Sequence, residues 1–344
     1  MSQAAASLST EVRRVKPCAT TGRCLAALVF LLTLPSVVRL QEAPTSELRP
    51  VTPYKISVSV SSVVLHATAE NNKGAPVSGL TEDDFQVYED GALQKIEYYS
   101  HEDIPVTVGL VLDNSGSMGP KRDEVIAAAM AFSRSSNPLD QMFVVNFNEH
   151  VSFGLPADTP FTDKTTQLQA ALSTFKTNGE TALYDALAAA LDHLKKGNRD
   201  KKVLIVVSDG GDNASKHTLG QILTMAEKSD AIIYTIGIYT EEDPDKNPGA
   251  LRQLSKATGG EAFFPQSAAD VVPLCVRIAH DIREQYTLAY SPTNIRPDGA
   301  YRVILVKAVA PGHGHLSVRT RTGYYAPSTP QAIAPVAGSL SNRP

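Results

Sequence analysis

The sequence offers little cysteine: three residues in 344, two of which, Cys18 and Cys24, fall within the first forty positions. If that leader is removed, only Cys275 remains. No disulfide can then form within the mature chain, and no Cys/His pair has the spacing of a zinc site. Cys275 lies in an apolar helical pattern with Val271, Val272, Leu274 and Ile278, which reads as a buried structural thiol. A run long enough to span a bilayer is also missing. The apolar stretch 24–38, CLAALVFLLTLPSVV, falls short of the roughly 20 residues that a spanning helix needs. No basic patch interleaved with aromatics occurs, which argues against a nucleic-acid partner.

What is present begins with a leader. Arg13, Arg14, Lys16 and Arg23 precede the apolar run, in the order of an export signal. Residues 1–40 are therefore expected to be a signal peptide. The alternative is an uncleaved anchor, because Ser36-Val37-Val38 fits the small-residue cleavage rule poorly, and this anchor would be the chain's only contact with a membrane. The pair Arg13-Arg14 fits a generic basic flank better than a twin-arginine signal. The formal charge is -4, and without the leader 27 basic and 35 acidic residues remain. At 42% hydrophobic and 20% charged, the chain has the composition of a globular protein with room for two domains.

The segment 106–119, VTVGLVLDNSGSMG, carries the chemistry. An apolar strand ends in Asp113, and two hydroxyls, Ser115 and Ser117, follow at a spacing of two. Downstream, Thr181 stands in NGETALYDAL, and Asp209 ends the strand VLIVVSDG. Each piece alone has an ordinary explanation. A D-x-S-x-S run can be an Asx-type turn, Thr181 can be a helix N-cap, and Asp209 can be a turn residue. Together they supply two carboxylates and three hydroxyls beyond the carboxyl ends of strands, a set of hard oxygens suited to a divalent cation.

These residues, in this order, resemble the von Willebrand factor type A family and its metal-ion-dependent adhesion site. The resemblance implies that Asp113, Ser115, Ser117, Thr181 and Asp209 hold magnesium, with manganese or calcium as alternatives. Ser115, Ser117 and Thr181 would touch the cation, while Asp113 and Asp209 would act through water or by holding the hydroxyls. It further implies a protein partner whose Asp or Glu completes the shell, so that binding rather than bond-breaking is the outcome. Glu180 stands where many relatives carry glycine. The wider pattern, APVSGLTEDDFQVYEDGALQKI before the metal loop and RTGYYAP at the end, is similar to bacterial exported von Willebrand type A-related proteins of the acidobacterial kind, over residues 55–327.

From Pro105 the chain alternates β and α. Strands are predicted at 106–112, 142–147, 203–208 and 231–237, and helices at 121–135, 183–195, 218–229, 248–258 and 268–283. The strands are apolar on both faces, as a sheet covered by helices on both sides requires. The expected fold class is α/β, a doubly wound Rossmann-like sheet over residues 102–284. Strand-rich segments flank it. Residues 54–101 contain KISVSVSSVVLHATA and a hairpin at Asp90-Gly91, and residues 285–326 contain strands at 285–290, 301–309 and 316–320. Neither flank is large enough for a core of its own. They are expected to pair as one antiparallel domain with the α/β unit inserted between them. Residues 327–344, rich in Pro, Ala and Ser, are expected to be disordered.

Other candidate sites fail on their spacing. Asp243, Asp245 and Asn247 mimic the first ligands of an EF-hand, but Gly249 is one position late and Leu254 occupies the bidentate Glu slot. His313 and His315 lack a third ligand. Gly116-Ser117-Met118-Gly119 is neither a nucleophile elbow nor a phosphate loop. The leading expectation is thus an exported, non-enzymatic binding module. Two alternatives stand beside it: a metal-assisted hydrolase with Glu180 or Asp212 as base, and an envelope protein whose metal only stabilises loops.

Overall fold

The computed structural model describes residues 62–173, 177–239, 243 and 245–328. The leader, the first part of the strand-rich segment 54–101, and the tail from 329 onward lie outside the described residues.

The first segment forms β1 (Val63–Glu70), β2 (Phe85–Glu89), β3 (Ala92–Gln94) and β4 (Ile96–Ser100). The hairpin at Asp90-Gly91 is present, with both residues at positive φ, 48° and 83°. The run following it does not stay in one sheet. Strand β3 pairs with β2, whereas β4, one residue later, belongs to a different sheet.

The central region contains β5 (Val106–Asp113), α1 (Arg122–Ser135), β6 (Gln141–Phe147), β7 (Val151–Phe153), α2 (Thr165–Ser173), α3 (Leu183–Leu194), β8 (Lys201–Ser208), α4 (Leu219–Lys228), β9 (Ala231–Gly237), α5 (Pro248–Thr258), β10 (Ala262–Phe263) and α6 (Val271–Arg283). It is a mixed α/β unit around a six-stranded sheet in the order β10-β9-β8-β5-β6-β7. All its pairings are parallel except that of edge strand β7. Strand β5 is buried at every residue, as are all residues of β6 after the first. This is the burial expected of a sheet covered on both faces. Helix α3 buries Leu183, Ala186, Leu187, Ala190, Leu191 and Leu194 along one stripe. The helix expected from 121 starts one residue later, after a 3-10 turn at Gly116–Lys121 that contains Pro120. Helix α2 and strands β7 and β10 had not been expected.

The last segment forms β11 (Tyr286–Tyr290), β12 (Tyr301–Ala308), β13 (Ser317–Arg319) and β14 (Gly323–Tyr325). Strands from before and after the α/β unit interleave in two antiparallel sheets, β13-β1-β11-β4 and β14-β12-β2-β3. Leu65 lies opposite Leu288 in the first sheet, and Val87 lies opposite Val306 in the second. Burial alternates along β12, which is what one solvated face requires. One core holds Leu65, Phe85, Val87, Tyr286, Leu288 and Val306 between the sheets. Cys275 is buried in the separate core of the α/β unit, and burial pushes its thiol up to about 12. Among the described residues no helix is long and apolar enough to cross a membrane.

A charged cluster joins the two units. Asp281 of α6, 4% exposed, accepts hydrogen bonds from the hydroxyls of Thr68 in β1 and Tyr234 in β9, and from Arg319 in β13. Arg319 also reaches Glu70 at 3.1 Å and the Gly259 carbonyl at 3.0 Å. Burial works against its charge, but Tyr234 and Asp281 outweigh that and hold the guanidinium protonated.

Candidate functional site

Strand order sets the position of the site. The chain leaves β5 toward β6 on one side and returns to β8 on the other, so the ends of β5 and β8 flank the point where the winding reverses. Loops leaving such neighbours diverge to opposite faces and open a crevice beyond the strands' carboxyl ends. Asp113 closes β5, and Asp209 follows Ser208 at the end of β8. Leu112 and Val207, just before them, are paired in register.

Four of the five expected residues are linked by one chain of hydrogen bonds. Asp113 accepts from the Ser115 backbone N–H through Oδ1 at 2.8 Å and from the Ser208 hydroxyl through Oδ2 at 2.6 Å. The Ser115 and Ser117 hydroxyls are 3.2 Å apart. Ser117 donates to Asp209 Oδ2 at 2.7 Å, and Asp209 Oδ1 accepts from the Gly211 N–H at 2.9 Å. Asp113 and Asp209 are 3% and 4% exposed. Ser117 is exposed, so the cluster meets solvent through that hydroxyl.

Thr181 is brought alongside by backbone contacts. Its N–H donates to Asn213 Oδ1 at 2.8 Å, and its carbonyl accepts from the N–H groups of Asn213 and Ala214. The loop before it is tied to the serine loop by Gly116 N–H to the Gly179 carbonyl at 3.2 Å and Asn178 N–H to the Asn114 carbonyl at 3.0 Å. Among the described residues no hydrogen bond joins the Thr181 hydroxyl to the acidic chain. Gly179 has φ +78°, which calls for glycine, and a Cβ there would have to displace the Glu149 carboxylate. The next residue, Glu180, donates its N–H to that same carboxylate at 3.1 Å.

Electrostatics distinguishes this cluster from an ordinary turn. Burial is the main cause that raises Asp113 to about 6, opposed by the hydrogen bonds from Ser115 and Ser208 and assisted by the nearby charge of Asp209. Among the described residues no Lys, Arg or His forms an ion pair with either carboxylate. The two cations that follow the loop are engaged elsewhere: Lys121 with the Ile238 carbonyl and Asp243, and Arg122 with Asn114 Oδ1 and the carbonyls of Leu172 and Ser173. No group of three His, Cys, Asp or Glu side chains capable of holding a metal occurs among the described residues. What the crest offers instead is two carboxylates and three hydroxyls, a hard-oxygen set that fits magnesium, manganese or calcium better than zinc.

Sequence reasoning missed several supports. Ser208 fixes Asp113, and its position immediately before Asp209 was the available signal. Asn213 fixes Thr181 and is separated from Asp209 by only three residues. Asp212, considered as a base, instead accepts the Tyr184 N–H at the start of α3 and the Ser215 N–H.

Residues 108–211, a span that encloses all five candidate positions, match the family model of the von Willebrand factor type A domain. Over these residues the α/β unit is similar to the von Willebrand factor type A domain. Domains of this type are commonly protein-interaction modules. Solved structures similar to the chain include a von Willebrand factor type A protein from Catenulispora acidiphila, at 15% identity and TM-score 0.49, covering 79% of this chain and 76% of that one. BatB from Bacteroides thetaiotaomicron is similar at 15% identity and TM-score 0.43, over 52% and 98% of the two chains. The von Willebrand domain of the type V pili tip protein Mfa5 from Porphyromonas gingivalis is similar at 14% identity and TM-score 0.44, over 52% and 95%. None of these likenesses bears on function. No curated protein shows significant similarity to the chain.

Proposed function

We propose that the von Willebrand A-like unit of this chain is an exported binding module, and that it takes up a divalent cation at its crest and presents it to a carboxylate on a protein partner. One observation carries this reading: two buried carboxylates, Asp113 and Asp209, are linked through Ser115 and Ser117 and have no cation from the described protein. A charge buried without a partner is costly, and an external cation removes that cost. The Ser115, Ser117 and Thr181 hydroxyls would contact the cation, with Asp113 and Asp209 orienting them or acting through water. The cation would act as a Lewis acid toward an incoming oxygen. Because three of the five donors are neutral, positive charge would remain to attract a carboxylate.

Binding without turnover is favoured, because Asp212, one of the two bases considered, is committed to backbone N–H groups. The basic and apolar leader supports export, with an uncleaved anchor as the variant form. Calorimetric titration with magnesium, followed by capture of envelope proteins with and without EDTA, tests the reading. Chelator-sensitive capture is expected. No magnesium affinity, or capture indifferent to EDTA, would overturn it.

A further inference from the structure

At the opposite end of the sheet from the crest, a cavity of about 360 Å³ lies on the seam between the α/β unit and the antiparallel sheets. Lys202 near the start of β8, and Ala231 and Ile232 at the start of β9, form part of its wall. These strands rise about 3.3 Å per residue, so roughly 20 Å separates the cavity from Asp209. The volume falls within the range of small-molecule pockets.

Its charges are unevenly paired. Arg321, in the wall, is fully engaged with Asp230, the carbonyls of Glu227 and Ser229, and the Gly323 carbonyl. Arg199 and Lys202 also line the cavity, and neither has a carboxylate partner among the described residues. Arg199 is held by one hydrogen bond, from Nη2 to the Leu139 carbonyl at 2.8 Å, while its buried Nε has no acceptor among the described residues. A buried donor without an acceptor is costly, and more so when charged. Asp230, 83% exposed, is bound to Arg321, and no ion pair joins Glu227 to either cation among the described residues. His66 completes the polar wall. Burial, with Lys201 and Arg321 nearby, holds its imidazole uncharged, so it can supply a hydrogen bond but not a charge. Val64, Ile232 and Ala257 provide apolar surface.

We propose that this seam cavity binds a small organic anion, a carboxylate or phosphomonoester, with its charged oxygens received by Arg199 and Lys202 and its body against Val64, Ile232 and Ala257. Such a ligand would touch both units at once and stabilise their junction. It would do so independently of the crest.

The full chain in EDTA would be titrated at constant ionic strength with sodium hexanoate, phenyl phosphate and acetate, with chloride as control, and followed by NMR shifts and melting temperature. Hexanoate or phenyl phosphate should saturate and raise the melting temperature, the stronger of the two identifying the headgroup, and acetate should bind at least tenfold more weakly. Arg199→Gln and Lys202→Gln should each weaken binding about tenfold. Ala257→Leu, which fills the cavity without touching a charge, should abolish it and serves as the variant if the charge changes impair folding. Asp113→Ala should bind the anion like wild type. No saturable shift with either larger anion, unchanged binding in the folded cavity variants, or loss of binding in Asp113→Ala would each overturn the proposal.

Discussion

Two buried acidic sites stand at opposite ends of this molecule, and they are neutralised differently. At the seam, Asp281 is met by Arg319, with Thr68 and Tyr234 adding hydrogen bonds. At the crest, Asp113 and Asp209 are equally buried and equally well hydrogen-bonded, but by hydroxyls and backbone N–H groups alone. A site that carries its own counter-charge is finished when the chain folds. One that lacks it is completed by something from outside. The contrast separates a structural acidic cluster from a candidate ligand site more clearly than burial does, since burial is nearly identical at the two ends.

The largest expected effect tests the crest. Asp113→Ala, or Ser115→Ala together with Ser117→Ala, should remove measurable magnesium binding in calorimetry while circular dichroism stays unchanged, because Asp113 is the last residue of β5 and the serines follow it, outside the apolar core. Retained affinity in Asp113→Ala would erase the distinction between the two ends.

At the seam, Arg319→Met should lower stability by about 3–5 kcal/mol in urea unfolding, since it leaves the Asp281 charge buried without its partner. Adding Asp281→Asn should recover much of that loss. A double variant no better than the single one would mean that Arg319 acts by packing rather than by charge.

A third test exploits Lys201, a buried cation beside the seam that donates to the Ile282 carbonyl. Burial lowers its pKa from 10.5 to about 7, against the opposing pull of Asp281, Asp103 and Asp140. The unfolded chain therefore binds the proton more tightly than the folded one. The penalty is complete below about pH 7 and vanishes as pH rises toward 10.5, so this residue makes stability increase with pH across that window, by a few kcal/mol at most. Lys201→Met should flatten the rise, as measured by urea midpoints at pH 7 and 9.5. A parallel shift of both midpoints would show that the lysine does not titrate there.

The smallest effect expected is that of Gly179→Ala. The positive φ should cost about 1 kcal/mol, and displacement of Glu149 should weaken magnesium binding severalfold through the Gly116–Gly179 contact. Unchanged metal affinity would place this loop outside the site's support.

Legibility in the sequence followed the strength of the local signal. The four long parallel strands were readable because they are apolar on both faces, and the serine loop because its spacing has few other uses. The short strands β7, β10 and β14 were not readable, since two or three residues carry no period. The run ALQKIEYY reads as one continued strand but turns into a second sheet at Lys95, where neither glycine nor proline marks a corner. Ser208 and Asn213 were hidden for a different reason. Their partners lie 95 and 32 residues away, and only the fold brings each pair within hydrogen-bonding distance.

The α/β unit enters and leaves through neighbouring strands, with Ser100 of β4 paired to Thr287 of β11. Mechanically, these two strands form a stem. A pull between residues 62 and 328 is borne by the antiparallel sheets, and it reaches the α/β unit only after β4 and β11 separate. A pull on the crest, by contrast, is divided between both strands of the stem and passes as shear into β1, which lies against β11 over five residue pairs. A load between residues 62 and 328 therefore leaves the segments that hold Asp113 and Asp209 out of its path.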